Sequence, residues 1–223
     1  FDEDVEQEEQ EYREATVYKL LADYRKANHL HFSISQGFNQ FEIHVQVPAG
    51  APQLDTIRTL LLILKKELNF PFRIGAGVSP SYERSRYFAE HALMEADRYG
   101  RNDAFFMDEE DKITGPLSAD NQLMYNYSNE KALAFARENG INETNILKLI
   151  SIFEQDEAQL ISSHALSEKL GITMRSASRI LAKLYDLDMI RFRDTAPDTK
   201  TPRQGRPSHY YHFNPAAFRE AQL

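Results

Sequence analysis

Two short amphipathic helices, separated by a tight turn, are predicted within residues 162–193, and their spacing constrains the fold more than any other feature of the chain. Three apolar residues define the buried face of the first helix: Ala165, Leu166 and Leu170. Gly171 allows a left-handed residue at its end, Ile172 plugs the turn, and Thr173 can cap the next helix. The second helix buries four residues at helical spacing: Ala177, Ile180, Leu181 and Leu184. This pattern is typical of a helix–turn–helix.

The second helix turns polar and basic side chains outward, and a basic hairpin follows it. The outward residues are Arg175, Ser176, Ser178, Arg179 and Lys183. The segments MIRFR and SHYYHF are predicted as two strands, and the loop between them carries Lys200, Arg203 and Arg206. A helix in this position can enter the major groove of DNA, and a basic hairpin tip suits phosphate or minor-groove contact.

In this order, ALSEKLGIT, SASRILAKL and GRPSHYY resemble the corresponding segments of winged helix–turn–helix transcriptional regulators, over roughly residues 142–215. The resemblance implies double-stranded DNA as a partner and a homodimer that reads two half-sites. It implies nine DNA-binding residues: Thr173, Arg175, Ser176, Ser178, Arg179, Lys183, Lys200, Arg203 and Arg206. In this interpretation Arg175, Ser176, Ser178 and Arg179 read the groove, and Lys183, Arg203 and Arg206 hold phosphates. One departure is Asp188, where such proteins often have Gly, although Asp tolerates a left-handed backbone better than most residues. Winged helices also serve as protein-interaction modules, so a protein adaptor stays an alternative.

Charge is distributed unevenly along the chain. Residues 1–140 contain 15 basic and 24 acidic residues, whereas residues 163–213 contain nine basic and five acidic ones. This asymmetry indicates an acidic part joined to a module that can meet an anionic partner. The absence of cysteine excludes disulfides and thiolate sites, and the longest apolar stretch, near residues 59–64, is far too short for a membrane span. We therefore expect a cytoplasmic protein without a membrane partner, and because it begins with Phe1, we expect the native chain to extend further.

The part before the helix–turn–helix is predicted to be an α+β sandwich, with helices on one face of a mainly antiparallel sheet. A helix from Thr16 leads into a hairpin of alternating residues between 32 and 47, and a second helix begins at Asp55 as its N-cap. A strand over 72–79, a helix ending near Gly100 and a strand–turn–strand over 104–117 follow, and residues 122–127 read as a loop. We predict three parts: residues 1–125, a linker helix over 126–141, and a winged helix over 142–223.

Residues 72–117 resemble the last third of a GGDEF-type nucleotidyl-cyclase-like domain, whose fold is a ferredoxin-like, palm-type sandwich. The matching residues are Ala92, Leu93, Ala96, Gly100 and Asn102, and the likeness extends over about residues 16–117. Cyclases of this family need adjacent carboxylates on the hairpin turn to hold two cations, but the turn here reads Gly37-Phe38-Asn39-Gln40-Phe41, with Glu42 displaced onto the strand.

The resemblance therefore implies a degenerate domain with no catalytic residues, no metal and no cofactor, which senses a small molecule such as a nucleotide or holds a homodimer. An enzyme of the GTP-cyclohydrolase or nucleotidyl-transfer kind, using other carboxylates of the sandwich, stays an alternative.

Overall fold

The computed structural model describes residues 2–37, 39–46, 53–119, 122–155, 160–193, 209–221 and 223. The chain is a mixed α+β protein that separates into two compact units, Phe1–Pro71 and Phe72–Leu223. No helix among the described residues has the length and apolar composition needed to cross a bilayer.

The first unit consists of helix α1 (Asp2–Ala27), strands β1 (Phe32–Gly37) and β2 (Gln40–Val45), and helix α2 (Gln53–Glu67). The predicted hairpin is confirmed, and Asn39 adopts the left-handed φ of 53° that its turn requires. The core of the unit consists of Leu21, Tyr24, Phe32, Leu61, Leu64 and Leu68. The prediction that Asp55 is an N-cap is wrong, because the helix already begins at Gln53 and Asp55 lies in its first turn, 3.2 Å from Arg58 Nη1.

Strands β1 and β2 pair with each other and form a separate two-stranded sheet among the described strands. The prediction of one mainly antiparallel sheet that includes this hairpin is therefore corrected. The alternation of the strand residues indicates a half-buried hairpin, but it carries no information on which other strand, if any, lies at its edge.

The second unit begins with a four-stranded sheet of order β3-β4-β5-β6, built from β3 (Ile74–Gly77), β4 (Ala104–Met107), β5 (Lys112–Gly115) and β6 (Leu123–Asn126). Strands β3 and β4 are parallel, joined by helix α3 (Tyr82–Tyr99), and the remaining pairs are antiparallel. The small residues of β3 allow α3 to approach closely, since a Cβ on Gly75 would lie 2.2 Å from the carbonyl oxygen of Ala89.

Strand β6 corrects the prediction of a loop over residues 122–127. Leu123 and Tyr125 are buried, whereas Met124 and Asn126 are exposed, which is the alternation of a strand with one face on the core. The strand is only four residues long and is flanked by polar residues that are typical of turns. Its alternation of buried and exposed side chains is therefore too short to be recognised in the sequence.

The remaining helices are α4 (Glu130–Glu138), α5 (Glu143–Gln155), α6 (Ser163–Leu170), α7 (Met174–Asp186) and α8 (Pro215–Glu220). Strands β7 (Leu160–Ile161), β8 (Ile190–Arg193) and β9 (Tyr210–Phe213) form an antiparallel sheet of order β7-β9-β8. Neither β7 nor α8 is among the elements that the sequence predicts.

The predicted division into residues 1–125, 126–141 and 142–223 differs from the observed units. One continuous core extends from Phe88 and Phe105 through α4 and α5 to Phe213 and Phe218. Helix α4 is a core helix and not a free linker, because Ala132 and Ala136 are fully buried. The change in hydrophobic rhythm near residue 142 therefore lies inside the second unit, while the observed boundary falls between Pro71 and Phe72.

Candidate nucleic-acid interface

The turn between α6 and α7 has the geometry that the sequence predicts. Gly171 ends α6 with a φ of 67°, and the backbone N–H of Ile172 donates to the carbonyl oxygen of Ser167 at 3.0 Å. Thr173 caps α7, because its hydroxyl oxygen accepts from the backbone N–H of Ser176 at 3.2 Å. A Cβ on Gly171 would lie 3.0 Å from the ring of Tyr99, so the turn is packed closely against the end of α3.

Helix α7 has one buried face and one exposed face, as predicted. The buried residues are Ala177, Ile180, Leu181 and Leu184. Arg175 and Arg179 are exposed on the opposite face, one helical turn apart. Neither guanidinium has a hydrogen-bond or ion-pair partner among the described residues, so both are available to a ligand.

The three hydroxyl residues of the predicted set already have partners. Thr173 Oγ1 and Ser176 Oγ lie 3.0 Å apart at the cap, and Ser178 Oγ donates to Ser163 Oγ of α6 at 3.0 Å. The first contact stabilises the start of α7, and the second joins α7 to α6. A base or phosphate contact by any of these hydroxyls would have to share or exchange an existing bond.

Lys183 has a structural contact. Its Nζ donates to the carbonyl oxygens of Asn139 at 3.1 Å and Gly140 at 2.5 Å, beyond the C-terminus of α4. An ammonium group at this place satisfies carbonyls that the helix itself cannot bond. The sequence predicts Lys183 as a phosphate contact because it lies on the outer basic face of this helix, and that role stays a prediction.

Strands β8 and β9 form the predicted hairpin, and Asp188 precedes it with a φ of 54°, as its position suggested. Asn214 Nδ2 donates to the carbonyl oxygen of Asp188 at 2.7 Å and to its Oδ2 at 3.0 Å, which fixes this corner. Lys200, Arg203 and Arg206 lie outside the described residues.

A row of aromatic rings, which sequence reasoning missed, extends from α7 along the hairpin, and we call it the aromatic ladder. Its members are Tyr185, Tyr211, Phe192 and His209, with successive centroids 6.2, 5.9 and 5.3 Å apart. Tyr185 is 52% and Phe192 41% exposed. Phe192 and Tyr211 are paired across the strands, two residues beyond the buried pair Ile190 and Phe213, so the ladder continues the core face outward. The spacing of two residues between aromatic side chains on the hairpin is the sequence signal from which this row could have been predicted.

A buried polar cluster connects α3, β6 and α5 within the second unit. The fully buried carboxylate of Glu95 accepts from Tyr125 Oη at 2.8 Å, lies 3.2 Å from Lys148 Nζ, and is paired with Arg98. Arg98 also donates to Thr144 Oγ1 at 3.0 Å. Burial, together with the Glu95 carboxylate, raises the pKa of Tyr125 far above its usual value, so the phenol stays protonated and donates.

The hairpin turn of the first unit carries no adjacent carboxylates. Gly37 pairs with Gln40 across it, and Glu42 lies on β2, where its carboxylate is 3.5 Å from His44 Nε2. Among the residues that the structure describes, no group of three or more His, Asp or Glu side chains could hold a metal ion. No protein-family model, curated protein or solved structure matches this chain.

Proposed function

We propose that this protein is a DNA-binding transcription regulator, in which residues 142–223 form a winged helix and α7 enters the major groove of duplex DNA. Arg175 and Arg179 read base edges, with Ser176 and Ser178 beside them, and the hairpin with Lys200, Arg203 and Arg206 contacts phosphates. The observation that carries the proposal is the unpartnered pair of arginines on the exposed face of a helix that follows a capped three-residue turn.

The order of the surrounding elements supports this assignment. Helix α5, strand β7, helices α6 and α7, and the β8–β9 hairpin follow one another, and β9 lies between β7 and β8. This arrangement exposes one face of α7 beside the hairpin, as a module that engages a groove and a flanking backbone requires.

The regulator acts as a homodimer, because one such module reads few base pairs and a twofold dimer reads two half-sites. The acidic part preceding it, a degenerate cyclase-like domain, senses a small molecule such as a nucleotide or holds the dimer. Its negative charge also weakens nonspecific attraction to DNA and so favours specific contacts.

The first experiment selects bound fragments from a genomic DNA pool with the wild-type chain and with Arg175→Ala/Arg179→Ala. We expect a twofold-related motif that the variant fails to enrich, because each arginine that binds guanine bidentately contributes about 1–3 kcal/mol of discrimination. The matched control, Arg86→Ala/Arg137→Ala, removes the same charge from two exposed helical arginines of the second unit, and it should enrich the wild-type motif.

Two results would contradict the proposal. If wild type enriches no duplex sequence, the module does not read DNA. If wild type enriches a motif and Arg175→Ala/Arg179→Ala enriches it equally well, α7 is not the reading element.

A further inference from the structure

The aromatic ladder lies beside the exposed face of α7. Ser178, Ala182 and Tyr185 follow one another at i, i+4 and i+7 along the helix, and Tyr185 begins the ladder that continues onto the hairpin. A phenylalanine ring is usually buried in a core, but here Phe192 is 41% exposed, and the neighbouring ring of Tyr185 is 52% exposed. Packing of the second unit alone therefore does not account for these rings.

The segment that carries α7 and β8 has a surplus of basic side chains, which favours a polyanion as the occupant. Between residues 173 and 193 the basic side chains are Arg175, Arg179, Lys183, Arg191 and Arg193, and the acidic ones are Asp186 and Asp188. Asp188 is paired with Arg191 at 3.2 Å, and this pair is neutral within that balance. An acidic polymer that also offers apolar faces, as a sugar–phosphate chain does, matches both properties of the surface.

The position of Tyr185 on α7 suits a contact to the duplex backbone. A helix that reads the major groove contacts base edges with its N-terminal residues, where Arg175 and Arg179 lie. Tyr185 lies six residues after Arg179, about 9 Å further along the helix axis, in the C-terminal half of α7. It is therefore placed beyond the base-reading residues, where such a helix approaches the flanking backbone.

We propose that the aromatic ladder binds the sugar–phosphate backbone of the duplex that α7 reads, with the rings against deoxyribose faces and the Tyr185 hydroxyl donating to a phosphate oxygen. This inference rests on the proposed function and adds a nonionic contribution to the affinity for DNA. Because the contact is made to sugars and a single neutral donor, it supplies affinity that is independent of sequence and releases no counterions.

The test measures the affinity of the full chain for the selected duplex and for an unrelated duplex of equal length, by fluorescence anisotropy between about 50 and 200 mM salt. Tyr185→Ala should weaken both affinities by the same factor, about 5- to 30-fold on the scale of an aromatic nucleic-acid contact. The slope of log affinity against log salt should stay at its wild-type value. Tyr185→Phe should weaken both affinities less than Tyr185→Ala does, since it removes only the hydroxyl group.

Tyr87→Ala is the matched control, because Tyr87 is 51% exposed and makes one edge-on ring contact, to His91, on the exposed side of α3. It should bind both duplexes as the wild type does. Phe192→Leu keeps an apolar side chain in the hairpin and should give an intermediate loss, which separates the ring contact from any change in folding.

Two outcomes would overturn the inference while leaving the proposed function intact: a less than twofold effect of Tyr185→Ala on both duplexes, or a loss confined to the selected duplex. The first would show that the ladder does not contact the duplex, and the second would assign it to base reading. Failure of the wild type to bind either duplex would instead overturn the proposed function.

Discussion

Among the described residues, six buried apolar side chains hold the two helices and the hairpin of the first unit together, whereas the second unit buries 31, of which 28 form one continuous core. Both units have large apolar side chains on their surfaces, such as Leu62 in the first and Tyr185 in the second, which are 63% and 52% exposed. The second unit can even bury an ion pair, between Glu95 and Lys148, within its core. The comparison teaches that a unit with a small core depends on each of its few contacts, while a large core also accommodates polar groups that fix one arrangement of its elements.

The largest expected effect comes from breaking the buried pair of the second unit. Lys148→Met should lower the free energy of unfolding by about 3–5 kcal/mol, because it takes the buried ammonium group from the Glu95 carboxylate and leaves the half-exposed Arg98 as the one cation beside it among the described residues. Urea denaturation of the full chain measures this change.

The control for this variant is Lys112→Met, which removes a lysine from an exposed pair with Glu110 and should change stability little. The double variant Glu95→Gln/Lys148→Met should recover much of the lost stability, since it removes both charges. A Lys148→Met variant as stable as Lys112→Met would show that the pair does not stabilise the core.

The next effect tests the small core. Leu61→Ala should lower the free energy of unfolding of the first unit by about 2–5 kcal/mol. Because a core of six apolar side chains provides little stability to spare, we expect the first unit to lose its structure while the second unit keeps its own. Hydrogen exchange read by mass spectrometry should then show lost protection in α1 and α2 and unchanged protection in α3 and β4.

Leu62→Ala is the adjacent control on the same helix, and its exposed side chain should be dispensable. Simultaneous loss of protection in both units after Leu61→Ala would contradict the comparison, because it would show that they unfold as one.

The smallest effect concerns a surface contact of the second unit. Lys183→Met removes the donor to the carbonyl oxygens of Asn139 and Gly140 and should cost about 1 kcal/mol of stability. If Lys183 has only this structural role, the salt dependence of DNA binding stays unchanged. A salt slope reduced by about 1, with stability unaffected, would instead show that Lys183 is the phosphate ligand that the sequence predicts.

Local patterns predicted the elements well, because their signals lie within a few neighbouring residues. The caps at Thr173, Gly100 and Gly171, the hairpin turn at Asn39 and the left-handed Asp188 all agree with the sequence analysis. The four buried residues of α7 also agree, so the exposed face with Arg175 and Arg179 could be assigned from helical spacing alone.

Contacts between distant residues could not be predicted in the same way. Glu95 and Lys148 each lie in an amphipathic helix where a charged residue normally faces water, and nothing nearby indicates that both are buried. The bonds of Lys183 to residues 139 and 140, and the aromatic ladder between α7 and two strands, likewise depend on tertiary packing. For this reason the sequence predicts a domain boundary near residue 142, although one continuous core extends across that position.

The Glu95–Lys148 pair has a consequence for how the sequence can diverge. A substitution of Glu95 alone leaves the Lys148 ammonium buried without its carboxylate partner, and a substitution of Lys148 alone leaves the Glu95 carboxylate with the half-exposed Arg98 as its cation. A joint replacement by residues of similar volume can preserve the fold. Positions 95 and 148 should therefore covary among descendants of this chain, with acid and base present together or absent together. Tyr125, whose hydroxyl donates to the same carboxylate, should change to phenylalanine mainly in those lineages that have lost the pair.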